Sequence, residues 1–359
     1  METPSDVQEL LELLGNFKHP FLIDNWAYDK EIVKINARTI NICFPFASHD
    51  LQTLFKDWLA TQKNDNNSLL QAYEFNILDH IATLAITTKN KIIPHIKNII
   101  AVASGKGGVG KSTTAANLAL GLARQGAKVG ILDADVYGPS IPMIMGTNGS
   151  VPYSSDGKRM DPIKAHGIVT SSVGYLIPAN DAAIWRGPMA SKVLEQLLND
   201  TNWPDLDYMV IDMPPGTGDI QITMSQQIPV TGVVIVTTPQ DLALADAIKG
   251  VNMFKKVHVP VTGIVENMSY HVCPNCGHIE HIFGNNGARN MAKEQNLMLL
   301  GQLPLDISVR NDTDKGNPTV IANPDSPIAK SYMNFAGLVA SQLYWQGEVS
   351  LDKIDIKNL

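Results

Sequence analysis

The sequence predicts an α/β fold: a mostly parallel sheet covered by helices on both faces, preceded by a small α+β domain. Three observations predict it. From Asn98 onward, short apolar runs recur at residues 99–103, 129–132, 209–211, 233–236, 261–265 and 297–301. None alternates with period 2, as expected of strands buried on both faces. Helical stretches separate these runs, which is the order that builds a parallel sheet. Before residue 98 the pattern differs, with short alternating strands and amphipathic helices, and 359 residues exceed one ordinary core.

The elements follow in order. Residues 1–90 are expected to form the accessory domain, 91–97 the linker, and 98–359 the main domain with a CxxC insertion. In the first, 7–14 reads as a helix, and 31–36 and 39–44 as two strands joined by a short turn. Ser48 is placed to cap a helix whose apolar face carries Leu51, Leu54, Phe55 and Trp58 at i, i+3, i+4 and i+7. Residues 63–68 read as a polar loop and 73–86 as a further strand. Near the end, Ser326 and Pro327 form a cap and first turn for a helix running to about Trp345.

Composition narrows the function. The chain is 44% hydrophobic and 18% charged with a net charge of −7, and no block of like charge stands out. A general binder of nucleic acid or anionic membrane is therefore disfavoured. The acidic start does not read as a signal peptide, and no apolar run reaches the roughly 18 residues of a membrane span. A cytoplasmic location is expected. Cys43, Cys273 and Cys276 are the three cysteines, too few and of the wrong parity for a disulfide framework.

The strongest signal follows the first buried strand. Gly105, Lys106, Gly107, Gly108, Val109, Gly110, Lys111 and Ser112 match G-x-x-x-x-G-K-[ST], and Thr113 continues into a helix. Glycines let the backbone turn tightly so that its N–H groups point at phosphate oxygens. Lys111 is expected on the β- and γ-phosphates and the Ser112 hydroxyl on Mg²⁺. The helix dipole favours the anion further. Gly126 stops the helix. Bound ATP with Mg²⁺ is the expectation.

Carboxylates complete the pattern. Asp133 and Asp135 leave the end of the 129–132 strand, where ligands of α/β sheets bind. A turn or capping role is the bland reading for one of them. Asp212 ends the strand at 208–211 and is expected to hold Mg²⁺ through a water. Residues 214–219 (PPGTGD) then read as a segment that senses the γ-phosphate.

Cys273 and Cys276 form a CxxC with His271, His278 and His281 nearby. Three chemistries fit: a Zn²⁺ knuckle using two histidines, a redox dithiol, or a cluster sharing two cysteines from each of two subunits.

The full string GKGGVGKS resembles the deviant Walker A ATPases. That resemblance implies a face-to-face homodimer in which Lys106 reaches the nucleotide of the opposite subunit, giving Lys106 a catalytic part beside Lys111. It implies that Asp135 positions the attacking water and Asp133 supports the metal shell. It also implies that Asn267 contacts the base, with residues 304–306 lining the same pocket. Residues 265–270 (VENMSY), the CPNCG string, 137–142 (YGPSIP), 185–189 (WRGPM) and 303–306 (LPLD) are similar to the Mrp/ApbC iron–sulfur cluster carriers across about 97–345. Membership would imply a [4Fe–4S] cluster bridged by Cys273 and Cys276 of two copies and slow ATP hydrolysis. The implied partners are cluster-assembly donors and apo-protein recipients.

The accessory domain resembles that family's N-terminal unit but lacks its acidic DPE-type motif and cysteine. Cys43 falls inside a strand and reads as core. The competing functions are a P-loop ATPase with a structural zinc knuckle and a positioning or partition ATPase. The latter would need a basic patch or an amphipathic C-terminal helix, and residues 347–359 are short and of mixed charge.

Overall fold

The computed structural model describes residues 4–64, 68–86, 92–176 and 187–350. The N-terminal part holds α1 (Pro4–Gly15), β1 (Val33–Asn36), β2 (Thr39–Phe44), α2 (His49–Asn64), α3 (Ser68–Gln71) and β3 (Glu74–Asp79). β1 pairs antiparallel with β2, and β3 pairs parallel with β2. The strand expected over 73–86 is thus only six residues long. On α2, Leu51 and Phe55 are fully buried and Leu59 joins them, whereas Leu54 is 49% exposed. Of the expected face, Leu51 and Phe55 are buried and Trp58 packs half-buried on the same core, so Leu54 alone departs from it, on the solvent flank.

The main part continues with β4 (Ile96–Ser104), α4 (Lys111–Arg124), β5 (Val129–Asp133), α5 (Ile141–Ile144), β6 (Ile163–Ala165), β7 (Ile168–Ser172), α6 (Gly187–Asn199), β8 (Leu206–Asp212) and α7 (Asp219–Gln227). Then come β9 (Gly232–Thr237), α8 (Asp241–Lys256), β10 (Val261–Val272), β11 (Ile279–Glu280), α9 (Gly287–Gln295), β12 (Leu299–Pro304), α10 (Ile307–Asp314), α11 (Thr319–Ala322) and α12 (Pro327–Gln346). Among the described residues the sheet has nine strands in the order β11-β10-β9-β4-β8-β5-β7-β6, with β12 beside β10. The edge strands β6 and β11 are antiparallel, and the other neighbours run parallel.

Burial explains why the central strands lack alternation. On β4, Ile100 and Val102 join one core, while Ile99, Ala101 and Ala103 join the core on the opposite face. Both faces are covered, so every position favours an apolar residue. Residues 96 and 97 of the expected linker already belong to β4. The N-terminal part packs on the first core: Phe21 fits against Gly337 of α12, and Trp345 Nε1 donates to Phe21 O at 2.9 Å. Among the described residues no helix is long and apolar enough to cross a membrane.

Candidate functional site

The parallel order brings the C-terminal ends of β4, β5 and β8 side by side, and their trailing residues converge there. β4 passes into the glycine-rich loop, which turns into α4. Gly108 and Gly110 both sit at φ +81, the left-handed region that L side chains avoid. At Gly110 space also matters, because a Cβ there would lie 2.2 Å from Asn267 Nδ2. α4 has Gly110 at its N-cap, which has no side chain to cap the helix start. Its first N–H groups are left to face the loop, where an anion can take them.

Lys111 lies at that helix start and is only 6% exposed. Its Nζ donates to Asp212 Oδ1 at 2.5 Å and to Ser112 Oγ at 3.3 Å, and stands 4.0 Å from Asp135 Oδ2. Four residues singled out from sequence therefore meet around one ammonium group. Asp212 is fully buried, and its Oδ2 has no hydrogen-bond partner among the described residues. A buried carboxylate oxygen left open beside a serine hydroxyl is a donor set that suits Mg²⁺ and its waters. The residues present therefore fit the metal.

Asp133 is differently engaged. Its Oδ2 accepts from Ser140 N (3.0 Å), Ile141 N (3.1 Å) and Ser172 Oγ (3.0 Å), and its Oδ1 from Asp135 N (3.2 Å). It thus holds the turn leading into α5. Register places it directly opposite Asp212. Burial, then the neighbouring Asp212 charge, push its carboxyl up to about 7. Burial also raises the Asp135 carboxyl, against the pull of Lys111. The PPGTGD turn is pinned to β4, since Gly216 N donates to Ser104 O at 2.9 Å. Gln221 Nε2 donates to Pro214 O and ties α7 to that turn.

Lys106 is half-buried and makes no ion pair among the described residues. Asn267 donates through Nδ2 to Val109 O at 2.9 Å, so it is bonded to the phosphate loop. It lines a cleft of about 260 Å³ with Gly110, Thr113, Met268 and residues 304–306. Val309, Thr313 and Tyr332 also line it. These three carry no signal in the sequence, because nothing in α10 or α12 departs from ordinary helix patterning.

The thiols lie farther out. β10 was expected to end at 265 but runs on to Val272 and returns through β11, with His271 opposite Glu280. Cys273 N donates to His278 O, and Gly277 N to Cys273 O, both at 2.9 Å. The backbone N–H groups of Asn275 and Cys276, then the Cys276 thiol, point at the Cys273 sulfur and hold its thiol below the usual range. Cys276 is exposed. Two of the neighbouring histidines are tied to backbone: His271 Nδ1 to Leu305 O and His281 Nδ1 to Ser269 O, both at 3.0 Å. Among the described residues no group of three or more His, Cys, Asp or Glu is arranged to hold a metal ion. Cys43 is on β2, where its thiol meets His80 O at 3.7 Å and burial raises it. Of the WRGPM string, Trp185 and Arg186 lie outside the described residues, and Met189 is an exposed residue of α6.

A family described as NUBPL iron-transfer P-loop NTPase, of the ParA group, matches residues 95–340. This chain belongs to that family. It is 52% identical over 348 residues to the iron-sulfur cluster carrier protein of Escherichia coli (strain K12), covering 96% of this chain and 94% of that protein. An alignment of that extent takes in the N-terminal part as well. It is also 52% identical over 252 residues to the iron-sulfur cluster transfer protein NUBPL of Dictyostelium discoideum, covering 70% and 78%. Among solved structures, a nucleotide-binding protein from Archaeoglobus fulgidus in complex with ADP superposes with a TM-score of 0.59 at 36% identity, over 67% of this chain and 93% of that one. The cell division ATPase MinD of Pyrococcus furiosus (TM-score 0.53, 22% identity, 67% and 98% covered) shares the fold. The α/β P-loop architecture expected from the sequence is therefore that of this NUBPL-type family.

Proposed function

We propose that this NUBPL-family chain is an ATP-dependent carrier of iron–sulfur clusters. It holds a [4Fe–4S] cluster between the CxxC knuckles of two copies and passes it to apo-proteins, with slow ATP hydrolysis. One juxtaposition carries the reading: a complete phosphate loop and a knuckle with Cys276 exposed and Cys273 half-buried on one chain, with no third ligand beside the thiols among the described residues. A four-iron cluster takes four cysteine ligands, and a two-fold pair of chains supplies them. Cluster-assembly proteins would load this site and apo iron–sulfur proteins would empty it. The absence of a third ligand also weighs against a zinc knuckle within one chain.

The chemistry follows from the residues. The backbone N–H groups of 105–112 cradle the phosphates, and Lys111 exchanges Asp212 for the β- and γ-phosphate oxygens. Ser112 and Asp212 would hold Mg²⁺, which supplies neutralisation of charge on the phosphate oxygens. Asp135 orients the attacking water. Asp133 supports this arrangement from behind by fixing the turn that carries Asp135. Lys106 extends toward the nucleotide of the opposite copy in the homodimer. Asn267 and residues 304–306 receive the base. The net charge of −7 gives a partition role no support, and neither nucleic acid nor membrane is needed as a partner.

Anaerobic reconstitution with iron and sulfide tests the proposal. About four irons and four sulfides per two chains are expected, with loss of both in Cys273→Ala, Cys276→Ala. Stoichiometric zinc without sulfide, or full cluster loading by the double variant, would refute it.

A further inference from the structure

β10 joins two regions. Its first half lies inside the parallel sheet beside the phosphate loop, and its last residues leave the sheet and carry the thiol knuckle. Between them sits Glu266, which neither the nucleotide chemistry nor the cluster chemistry uses. Its side chain is fully buried, and it makes no ion pair among the described residues. Oε1 accepts from Ser269 Oγ at 2.6 Å and Gln302 Nε2 at 2.8 Å, and Oε2 accepts from Ala288 N at 2.7 Å, in the first turn of α9. Gln302 also donates to Ser269 Oγ at 3.0 Å and accepts from Arg289 Nη2 at 3.1 Å. A buried carboxylate without a cation is tolerated only when donors meet both oxygens. This one therefore clamps β10, β12 and α9 into a single arrangement.

The neighbours of Glu266 reach both regions. Asn267 is bonded to the phosphate loop through Val109 O. Met268 lines the nucleotide cleft and takes φ +54, a conformation that bulky side chains rarely adopt. The register of β10 on β12 shifts between Glu266 and Tyr270, so the strand bends there. Ser269 O then accepts from His281 on the returning arm of the hairpin. Cys273 is only six residues beyond Asn267, about 20 Å of extended chain.

We propose that Glu266 is a positioning residue that couples the phosphate loop to the thiol knuckle, with the strained turn at Met268 as the hinge. Movement of the loop on taking up phosphate pulls on Asn267 through Val109. The clamp around Glu266 passes that displacement to Ser269 and the hairpin rather than letting it dissipate in β10. The inference rests on the nucleotide site proposed above but not on cluster carriage.

The test uses the full chain without cluster. Alkylation of Cys276 by iodoacetamide is followed by mass spectrometry of the labelled peptide, with and without Mg·ATP. In the wild type, nucleotide should change the rate by about fivefold or more. Glu266→Gln turns one acceptor into a donor facing a donor, and should abolish the change. The swap Glu266→Gln, Gln302→Glu restores complementary partners and should restore it. Met268→Gly relaxes the strained φ without touching the clamp and, measured at saturating Mg·ATP, should weaken the response. Retention of the full response in Glu266→Gln, or a wild type that binds ATP with no response, would overturn the coupling alone. A chain that binds no ATP would overturn both the coupling and the nucleotide site. A chain that responds to ATP yet loads no iron would leave the coupling standing and remove the carrier function.

Discussion

Lys111 and Asp212 form a buried ion pair, and the proposed function gives each partner another contact once a nucleotide arrives. In the proposed function the ammonium goes to phosphate and the carboxylate to the metal shell, which makes the pair a resting arrangement that ligand replaces. Removing the lysine leaves Asp212 buried without its cation and should lower stability, so the loss of binding is read from the ligand-induced shift rather than from the midpoint itself. For Lys111→Ala, the stabilisation by saturating Mg·ATP, about 2.7 kcal/mol at a hundredfold excess over Kd, should vanish. Thermal denaturation with and without Mg·ATP reads this directly, and an undiminished shift would remove Lys111 from the site. Gly110→Ala should do the same by a different route. Its Cβ would collide with Asn267 and force a side chain into φ +81. Both residues were legible in the sequence, because the loop demands a glycine and a lysine at fixed offsets. Asp133 was legible only as a carboxylate at the right strand end. That its oxygens are spent on Ser140, Ile141 and Ser172 depends on a turn the motif does not encode.

The elements show where local pattern suffices and where it does not. β4, β5, β8 and β9 announced themselves as unbroken apolar runs because helices cover both sheet faces. β10 was half visible: its apolar part ends near 266, and the polar continuation to 272 is a strand only through pairing with β11 and β12. The outward turn of Leu54 on α2 likewise follows from what the helix packs against, which periodicity alone does not specify. α12 was read correctly from its cap. Ser326 Oγ accepts from Ala329 N at 3.1 Å, and Pro327 takes the first turn. Ser326→Ala should lower stability by about 1 kcal/mol, seen as a lower urea midpoint at unchanged slope. An unchanged midpoint would mean that packing of α12 on α4 dominates the helix start entirely.

At the scale of the whole molecule, the N-terminal part is built onto the phosphate-loop helix rather than hung from it. Ser48 N and His49 N both donate to Gln125 O at 3.2 Å, so the start of α2 caps the end of α4. Gln125 returns the contact, donating to Asp50 Oδ2 at 2.7 Å and accepting from Asp50 N at 3.0 Å. Phe46 packs its ring 6.0 Å from that of Tyr344, and one apolar core runs from Leu10 to Leu343. Two units sharing a core and a helix cap have no weak plane between them, so they should open together. Hydrogen exchange in peptides from β2 and α2 should then report the same opening free energy as peptides from β4 and α4. Gln125→Ala leaves the core intact but strands polar groups of Asp50 at the junction. It should cost about 1–3 kcal/mol and lower protection on the N-terminal side first. If the wild-type N-terminal peptides already exchange through a separate, lower-energy opening, the part is a loosely docked accessory. The cap on α4 then has no bearing on the phosphate loop at the other end of that helix.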